Sequence, residues 1–388
     1  MFFGSSRERR GALFLQTEMQ SKHTTSKGFH AWSLLTVLVG VVLIWWGAAV
    51  TTEDVGLSVP DWPLAFGRVN PEGWWKVPAI FLEHGHRILG ATIGVLVLVM
   101  YLWAFFKERP RLIEAVGIIL VSLGYLYLVR EQAVGIAAVI AGIGMVWLVL
   151  TWMAARWSAL RGLATLALIL VVVQASLGGL RVLKMSDPFG VLHGTLGQVF
   201  FCVLVLIAFM SSWTWRNGQS VLRGGQAFWA RLTSTVLFLA VFGQLVIGAI
   251  LRHTQRDHLA ASDLIFTGGS FIPPVSPPDV FVLFLHKYWG VTVALLMLGV
   301  ARYARSWVDG SSPVRFIPRI LTVLPVVQVI LGISVILTGK SFWVTNFHVI
   351  NGLAMLALTC MMTAAAWGGA KSVGDVVESV ADKEVVTA

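Results

Sequence analysis

The stretch FLEHGHRILG, residues 81–90, brings four ionisable side chains, Glu83, His84, His86 and Arg87, to the mouth of a long apolar run, ATIGVLVLVMYLWAFF. Such groups are costly in hydrocarbon and persist where a task requires them. Glu83 stands three residues before His86, one helical turn away and on the same face. Three more histidines open apolar runs in the same manner: His193 in VLHGTLGQ, His286 in FLHKYWGV and His348 in NFHVINGL. Two imidazoles on facing helices of a four-helix bundle suit six-coordinate haem iron. Zinc would want a third or fourth Cys, His or carboxylate ligand at each site. The position equivalent to Glu83 before His286 is Leu283. A carboxylate beside one site and not the other fits one site that does chemistry and one that holds a permanent cofactor. The competing reading is that Glu83 only orients an imidazole N–H.

An internal repeat relates these histidines. VVVQASLGGLRVL at 171–183 returns as VVQVILGISVIL at 326–337, aligning Gln174 with Gln328 and Gly178 with Gly332. WWGAAVTT and VIGAILRH close the other related pair of helices, each followed by a long loop that leads to His86 or His286. Arg87 follows His86 as Lys287 follows His286, which selects His86 over its neighbour His84. His86 to His193 spans 107 residues, His286 to His348 only 62. The surplus is about two membrane helices with turns and maps onto 110–155. Two four-helix units remain, each entering and leaving on the same side, which makes a parallel repeat about an axis along the membrane normal. Small residues at 178, 179, 248 and 332 let helices approach and leave room for a flat macrocycle.

The elements that carry these groups are membrane helices. Of 388 residues 57% are hydrophobic and 12% charged, with mean hydropathy +0.79, which excludes an ordinary soluble domain. Ten apolar runs, at 31–52, 86–106, 112–129, 133–155, 163–182, 191–212, 232–251, 284–301, 319–338 and 346–367, are each suited to cross about 30 Å of hydrocarbon. The expected fold is an all-α polytopic membrane protein of two pseudo-symmetric four-helix bundles plus an inserted hairpin. Its parts are a basic segment 1–30, a bundle over 31–212 containing the hairpin 110–155, a linker 213–231, a bundle over 232–367 and a tail 368–388.

Basic residues set the orientation. Arg7, Arg9, Arg10, Lys22 and Lys27 place the N-terminal segment inside, and alternate connections agree through Lys107, Arg109 and Arg111, Arg156 and Arg161, Arg216, Arg223 and Arg231, and Arg302, Arg305, Arg315 and Arg319. Both termini are expected in the cytoplasm, with the loops 53–82 and 252–282 outside. The net charge of +10 reflects this topology rather than nucleic-acid binding. His23 and His30 precede the first helix on the inner side as solvated residues, and His253 and His258 lie in an outer loop. Cys202 and Cys360 have no second thiol near them in sequence, which argues against a Cys-based metal site or a loop disulfide. Trp62, Trp74 and Trp75 read as an interfacial belt or loop cap.

Taken together, GLSVPDWPLAFG (56–67), Glu83-x-x-His86-Arg87, the Gln-x-x-x-Gly helices and His193, His286 and His348 resemble the haem A synthase family over about 31–106 and 156–367. The resemblance implies oxidation of the C8 methyl of haem O to a formyl group by successive hydroxylations, an oxidoreductase reaction at a C–H group. It implies haem b as cofactor on His286 and His348, haem O facing His86 and His193, and Glu83 as the catalytic carboxylate. Arg87, Lys287 and Arg252 are candidates for the haem propionates, with snorkelling at the interface as the alternative. As partners it implies membrane lipid, a haem O synthase (protohaem farnesyltransferase) and cytochrome oxidase assembly factors, with a homo-oligomer left open. The implied location is the inner cytoplasmic membrane, with the haem sites toward its outer side. Some bacterial members carry cysteine pairs in their outer loops; here Val59 stands in that region. The hairpin is a second departure, since the family plan has eight helices.

Two rival readings make different demands. A dihaem b-type cytochrome exchanging electrons with quinone needs two permanent haems and no Glu83. A parallel-repeat transporter needs polar groups and broken helices near mid-membrane, whereas the ionisable groups here gather at helix ends.

Overall fold

The structure is a computed structural model that describes residues 27–107, 112–131, 134–155, 158–212, 215, 226–254, 264–276, 278–308 and 313–368. The basic segment before Lys27, most of the 213–231 linker, the tail after Gly368, His23 and His258 lie outside the described residues. Among the described residues the regular elements are helices: α1 Lys27–Thr52, α2 Pro78–Lys107, α3 Leu112–Glu131, α4 Val134–Ala155, α5 Ala159–Lys184, α6 Asp187–Ser211, α7 Ala227–Thr254, α8 Pro278–Trp307, α9 Phe316–Ile320, α10 Leu324–Leu337 and α11 Phe342–Gly368. Eight spans among the described residues are long and apolar enough to cross a membrane, Phe316–Leu337 (α9 with α10) counting as one. The inserted pair is present as α3 and α4, of 20 and 22 residues.

Local chemistry sets the helix starts. Proline begins α2 and α8 and occupies the first turn of α6 and α10, where its missing N–H has no intrahelical partner to lose. The Ser158 hydroxyl caps α5 by accepting the Arg161 N–H at 3.2 Å. Several helices begin earlier than their apolar runs. α2 starts at Pro78 rather than 86, which places His86 two turns inside the helix instead of at its opening.

The repeat appears as two closed rings of helices. α1 packs on α2, α2 on α5, α5 on α6 and α6 on α1; α7, α8, α10 and α11 pack in the same cyclic order. Phe201, Val205 and Leu353, with Val37, Val41 and Ile44 beside them, fill the seam between rings. The apolar side chains of Leu38, Val95, Leu295 and Leu337 face outward, as lipid-facing surfaces require. Cys202 on α6 and Cys360 on α11 come together in one buried cluster at this seam, both as free thiols. The sequence separates these thiols; the helix pairing brings them together.

The outer loops repeat as well. Ala65 pairs with Arg68, and Thr267 with Ser270, each around a two-residue turn. The turn residues Phe66 and Gly67 have φ of 52° and 72°, and Gly268 and Gly269 have 59° and 78°. Such left-handed pairs belong to tight reversals.

The inserted hairpin sits at the edge of the first ring. α3 and α4 pack on each other and α3 on α5, around Val121, Leu148 and Ile169. Glu114 of α3 forms an ion pair with Arg161 of α5, their side chains only 1% and 3% exposed. The Arg161 guanidinium also lies 5.1 Å over the Phe105 ring of α2. Arg161, counted in sequence among the inner-side cations, is therefore a buried joint between hairpin and ring.

Candidate functional site

Each ring holds two histidines face to face. The His86 and His193 ring centres are 6.3 Å apart with planes at 81°. His286 and His348 are also 6.3 Å apart, at 60°. Every one of these rings rests on a glycine of the preceding helix. A Cβ added at Gly47 would stand 2.9 Å from His86 Cε1; at Gly178, 3.2 Å from His193 Cε1; at Gly248, 3.1 Å from His286 Cε1; and at Gly332, 3.2 Å from His348 Cε1. The glycines thus serve as seats that admit an imidazole between two helices.

Glu83 belongs to one ring only and is 4% exposed. Its Oε2 accepts the Val59 N–H at 2.8 Å and its Oε1 accepts from Arg87 Nη2 at 2.6 Å. The carboxylate is held by the outer loop rather than by an imidazole. In the second ring Leu283 is buried at 3% exposure.

The basic residues proposed for propionates are placed as follows. Arg87 donates to the Asp61, Leu64 and Val59 carbonyls at 2.7, 3.0 and 2.9 Å. Lys287 donates to the Phe266 carbonyl at 2.9 Å and to the Thr267 hydroxyl at 3.1 Å. Leu64 and Phe266 both immediately precede the repeated turn, so the two cations anchor equivalent loops. Arg252 donates Nη2 to the Ala48 carbonyl and the Thr52 hydroxyl, at 2.9 and 3.0 Å, crossing from one ring to the other. Its Nη1 is buried without a hydrogen-bond partner, a donor available to an anion. Asp61 ties its own loop by accepting from Phe66 and Gly67, each at 2.7 Å. Burial alone would raise the Asp61 carboxyl, but the Gly67 and Phe66 N–H groups and then Arg87 outweigh it, so it sits below its ordinary value.

Two histidines, His30 and His253, differ from their expected placement, while His84 stands aside from the pair, in line with the choice of His86 over it. His84 is buried against Trp74, ring centres 5.0 Å apart, and not opposite His193. His30 lies within α1, where Nδ1 meets the Ser211 hydroxyl at 3.0 Å, because the helix starts before the apolar run. His253 lies in the last turn of α7 and is buried, since that helix continues past its apolar run. A Cβ at Gly190 would stand 2.8 Å from His253 Nδ1 and 3.2 Å from Arg181 Nε. Arg181 thus joins this side of the site, and its sequence signal was a cation inside the apolar repeat LGGLRVL. Trp62 packs over Gly179, where a Cβ would run into its ring, so the loop is docked on α5. Trp75 stays 56% exposed.

The donor set fits haem. Nδ1 of His86 and of His348 are buried without hydrogen-bond partners. With metal–nitrogen distances of about 2 Å and nitrogen-to-centre distances of roughly 1 Å on each side, two axial imidazoles sit about 6 Å apart, as both pairs do. Among the described residues no group of three or more His, Cys, Asp or Glu side chains is placed to hold a metal ion, so bis-imidazole pairing is the ligand geometry offered.

The family model described as cytochrome oxidase assembly protein, COX15-CtaA, matches residues 30–361. Curated relatives include a protein named "Heme A synthase" from Halalkalibacterium halodurans, 23% identical over 330 residues, covering 84% of this chain and 93% of the relative. One of the same name from Shouchella clausii is 23% identical over 346 residues, covering 87% and 96%. A third, from Sphingopyxis alaskensis, is 23% identical over 369 residues, covering 84% and 89%.

Proposed function

The chain belongs to the COX15-CtaA cytochrome oxidase assembly family, and from that premise we propose that it is a haem A synthase, an oxidoreductase that converts the C8 methyl of haem O to a formyl group. The observation that carries this reading is the unequal pair of equal sites: two histidine pairs at 6.3 Å, only one of which has a carboxylate one turn away. A dihaem cytochrome has no use for that asymmetry. A transporter has no use for the imidazole pairs.

In this reading His286 and His348 hold haem b in the C-terminal unit, 232–367, and His86 and His193 hold haem O in the N-terminal unit, 31–212. Haem b supplies one-electron transfer when bound. Glu83 does the work on the substrate. Taking a methyl to a formyl group removes four electrons, which would leave singly by way of haem b to an external electron acceptor, with water supplying the oxygen and four protons released. The oxidation builds positive charge on the carbon, and a fixed carboxylate stabilises such charge or takes a proton from the attacking water. The Val59 N–H and Arg87 remove the freedom of the Glu83 side chain, so little reorganisation remains for the reaction step. The docked loop, with Trp62 against Gly179, limits water above the site. Arg252 Nη1 is the donor offered to a propionate, whereas Arg87 and Lys287 serve loop carbonyls first.

The basic connections favour the inner membrane with both termini in the cytoplasm and the histidine pairs toward the outer face. A haem O synthase that hands over substrate, and cytochrome oxidase assembly factors, are the partners this activity calls for. Pigment analysis of the purified protein tests the whole reading. It should release haem b together with haem O or haem A; two equivalents of haem b alone would favour the dihaem cytochrome.

A further inference from the structure

The four histidine seats are not furnished alike one turn inward of their glycines. Four residues before Gly178, Gly248 and Gly332 stand Gln174, Gln244 and Gln328, but four before Gly47 stands Leu43. In the α7–α8 pair, Gln244 Nε2 donates to the main-chain carbonyl of His286 at 2.9 Å and lies 3.2 Å from Nδ1 of the same residue. In the α10–α11 pair, Gln328 Nε2 donates to the His348 carbonyl at 3.1 Å and lies 3.3 Å from Nε2 of its ring. Gln328 is itself held, its Oε1 accepting from Asn351 Nδ2 at 2.7 Å, and that amide also donates to the Leu324 carbonyl at 3.0 Å. The N-terminal ring has neither bridge. Leu43 carries no amide, and the Gln174 side-chain Nε2 is buried without a partner while His193 Nδ1 meets the Gln174 main-chain oxygen instead, at 3.1 Å.

An amide that touches both the ring and the main chain of one histidine resists rotation of that ring away from a ligand. Less side-chain freedom then remains to be frozen on ligation. Partners that orient a metal-ligating histidine also set how tightly the metal stays. We propose that Gln244 and Gln328 are positioning residues that make the C-terminal pair a retaining haem site, and that Leu43 and the unengaged Gln174 amide leave the N-terminal pair an exchanging one. The arrangement suits one haem that stays and one that enters as substrate and leaves as product. This inference rests on the haem reading of the two pairs.

The test is haem release from detergent-purified protein to excess apomyoglobin, followed in the Soret band. It is carried out in a His193→Ala background so that the C-terminal site alone is loaded. Gln244→Leu and Gln328→Leu should each speed release by about ten- to hundredfold and shift the midpoint potential of the retained haem. In the otherwise unmodified protein, Leu43→Gln should slow release of haem loaded into the N-terminal site. Should a leucine variant fail to fold, Gln244→Met and Gln328→Met, similar in length but without an amide, carry the same expectation. Release at the parent rate from the folded glutamine variants overturns the proposal. Failure of the parent to retain haem, or retention unchanged by His286→Ala, overturns instead the haem reading beneath it.

Discussion

Glu83 Oε2 accepts the Val59 N–H at 2.8 Å while its other oxygen meets Arg87 at 2.6 Å. The carboxylate one turn from His86 and the loop that covers it are therefore one unit. Arg87, bonded to three loop carbonyls as well as to Glu83, is the joint between them. Placement of the carboxylate depends on the loop being docked, and the loop is docked partly by the carboxylate.

Glu83→Gln should keep haem b and bind haem O yet lose haem A formation by on the order of a hundredfold or more, the scale of a lost general base. A glutamine amide presents a donor to Arg87 or to the Val59 N–H, so some loosening of the loop accompanies the loss. Leu283→Glu, which puts a carboxylate beside the other pair, should shift the potential of that haem without a new product. Haem A at a near-normal rate from Glu83→Gln, measured by chromatography of extracted haems, would make Glu83 structural.

His286→Ala or His348→Ala should abolish the low-spin haem b spectrum, whereas His86→Ala and His193→Ala should spare most of it. The equal 6.3 Å spacings do not by themselves rank the two pairs. Loss of haem b from the N-terminal variants instead would exchange the roles of the halves.

Deletion of residues 110–155, rejoined by a short inner loop, should leave both rings and their orientation intact. It also removes Glu114, the acid that meets Arg161 at this joint, and loss of one partner of a buried ion pair costs about 3–5 kcal/mol in typical cases. The deletion alone should therefore unfold at lower temperature, and Arg161→Leu in the deletion should restore much of the difference. Thermal unfolding in detergent measures both. A deletion already as stable as the full chain would show that the ion pair contributes little.

The glycines divide by what faces them. Gly179→Ala drives a Cβ into the Trp62 ring, while Gly94→Ala meets nothing within 4 Å. Overpacking of the first kind costs about 1–3 kcal/mol and should undock the 56–67 loop, read as faster limited proteolysis there. Gly94→Ala should be neutral or slightly stabilising. Equal proteolysis of the two variants would mean that Trp62 is not what holds the loop.

Asp61 gives the loop a pH dependence of known sign. Its folded carboxyl lies below the ordinary value, held there by the Gly67 and Phe66 N–H groups and Arg87 against the opposing effect of burial. The stability it contributes is present above the ordinary carboxyl range near about 4 and is lost as pH falls through the lower folded value. Loop protection against proteolysis should thus be flat from neutral pH to about 5 and fall only in stronger acid. Asp61→Asn should flatten that acid response; an unchanged acid response would assign it to another group.

Much was decided by the sequence alone, because apolar runs, glycines, histidines and their recurrence are local or one-dimensional signals. The helical membrane class, the two units, the inserted hairpin and the histidine pairs were all legible in that way, as was the missing carboxylate at Leu283. Helix starts were less so, since α2 runs two turns past its apolar segment to Pro78 and so buries His86 within the helix rather than at its end. What only the tertiary structure decided depends on reach across helices. Gly47, Gly178, Gly248 and Gly332 are seats for imidazoles because a facing ring occupies the space of their absent Cβ. Arg161 faces Glu114 and not the inner solvent, and Cys202 shares a buried cluster with Cys360, because α5 packs on α3 and α6 on α11. Arg87 goes to loop carbonyls and Glu83 to the Val59 N–H because the loop folds back over α2. No spacing along the chain encodes that contact; the packing of the loop on the ring creates it.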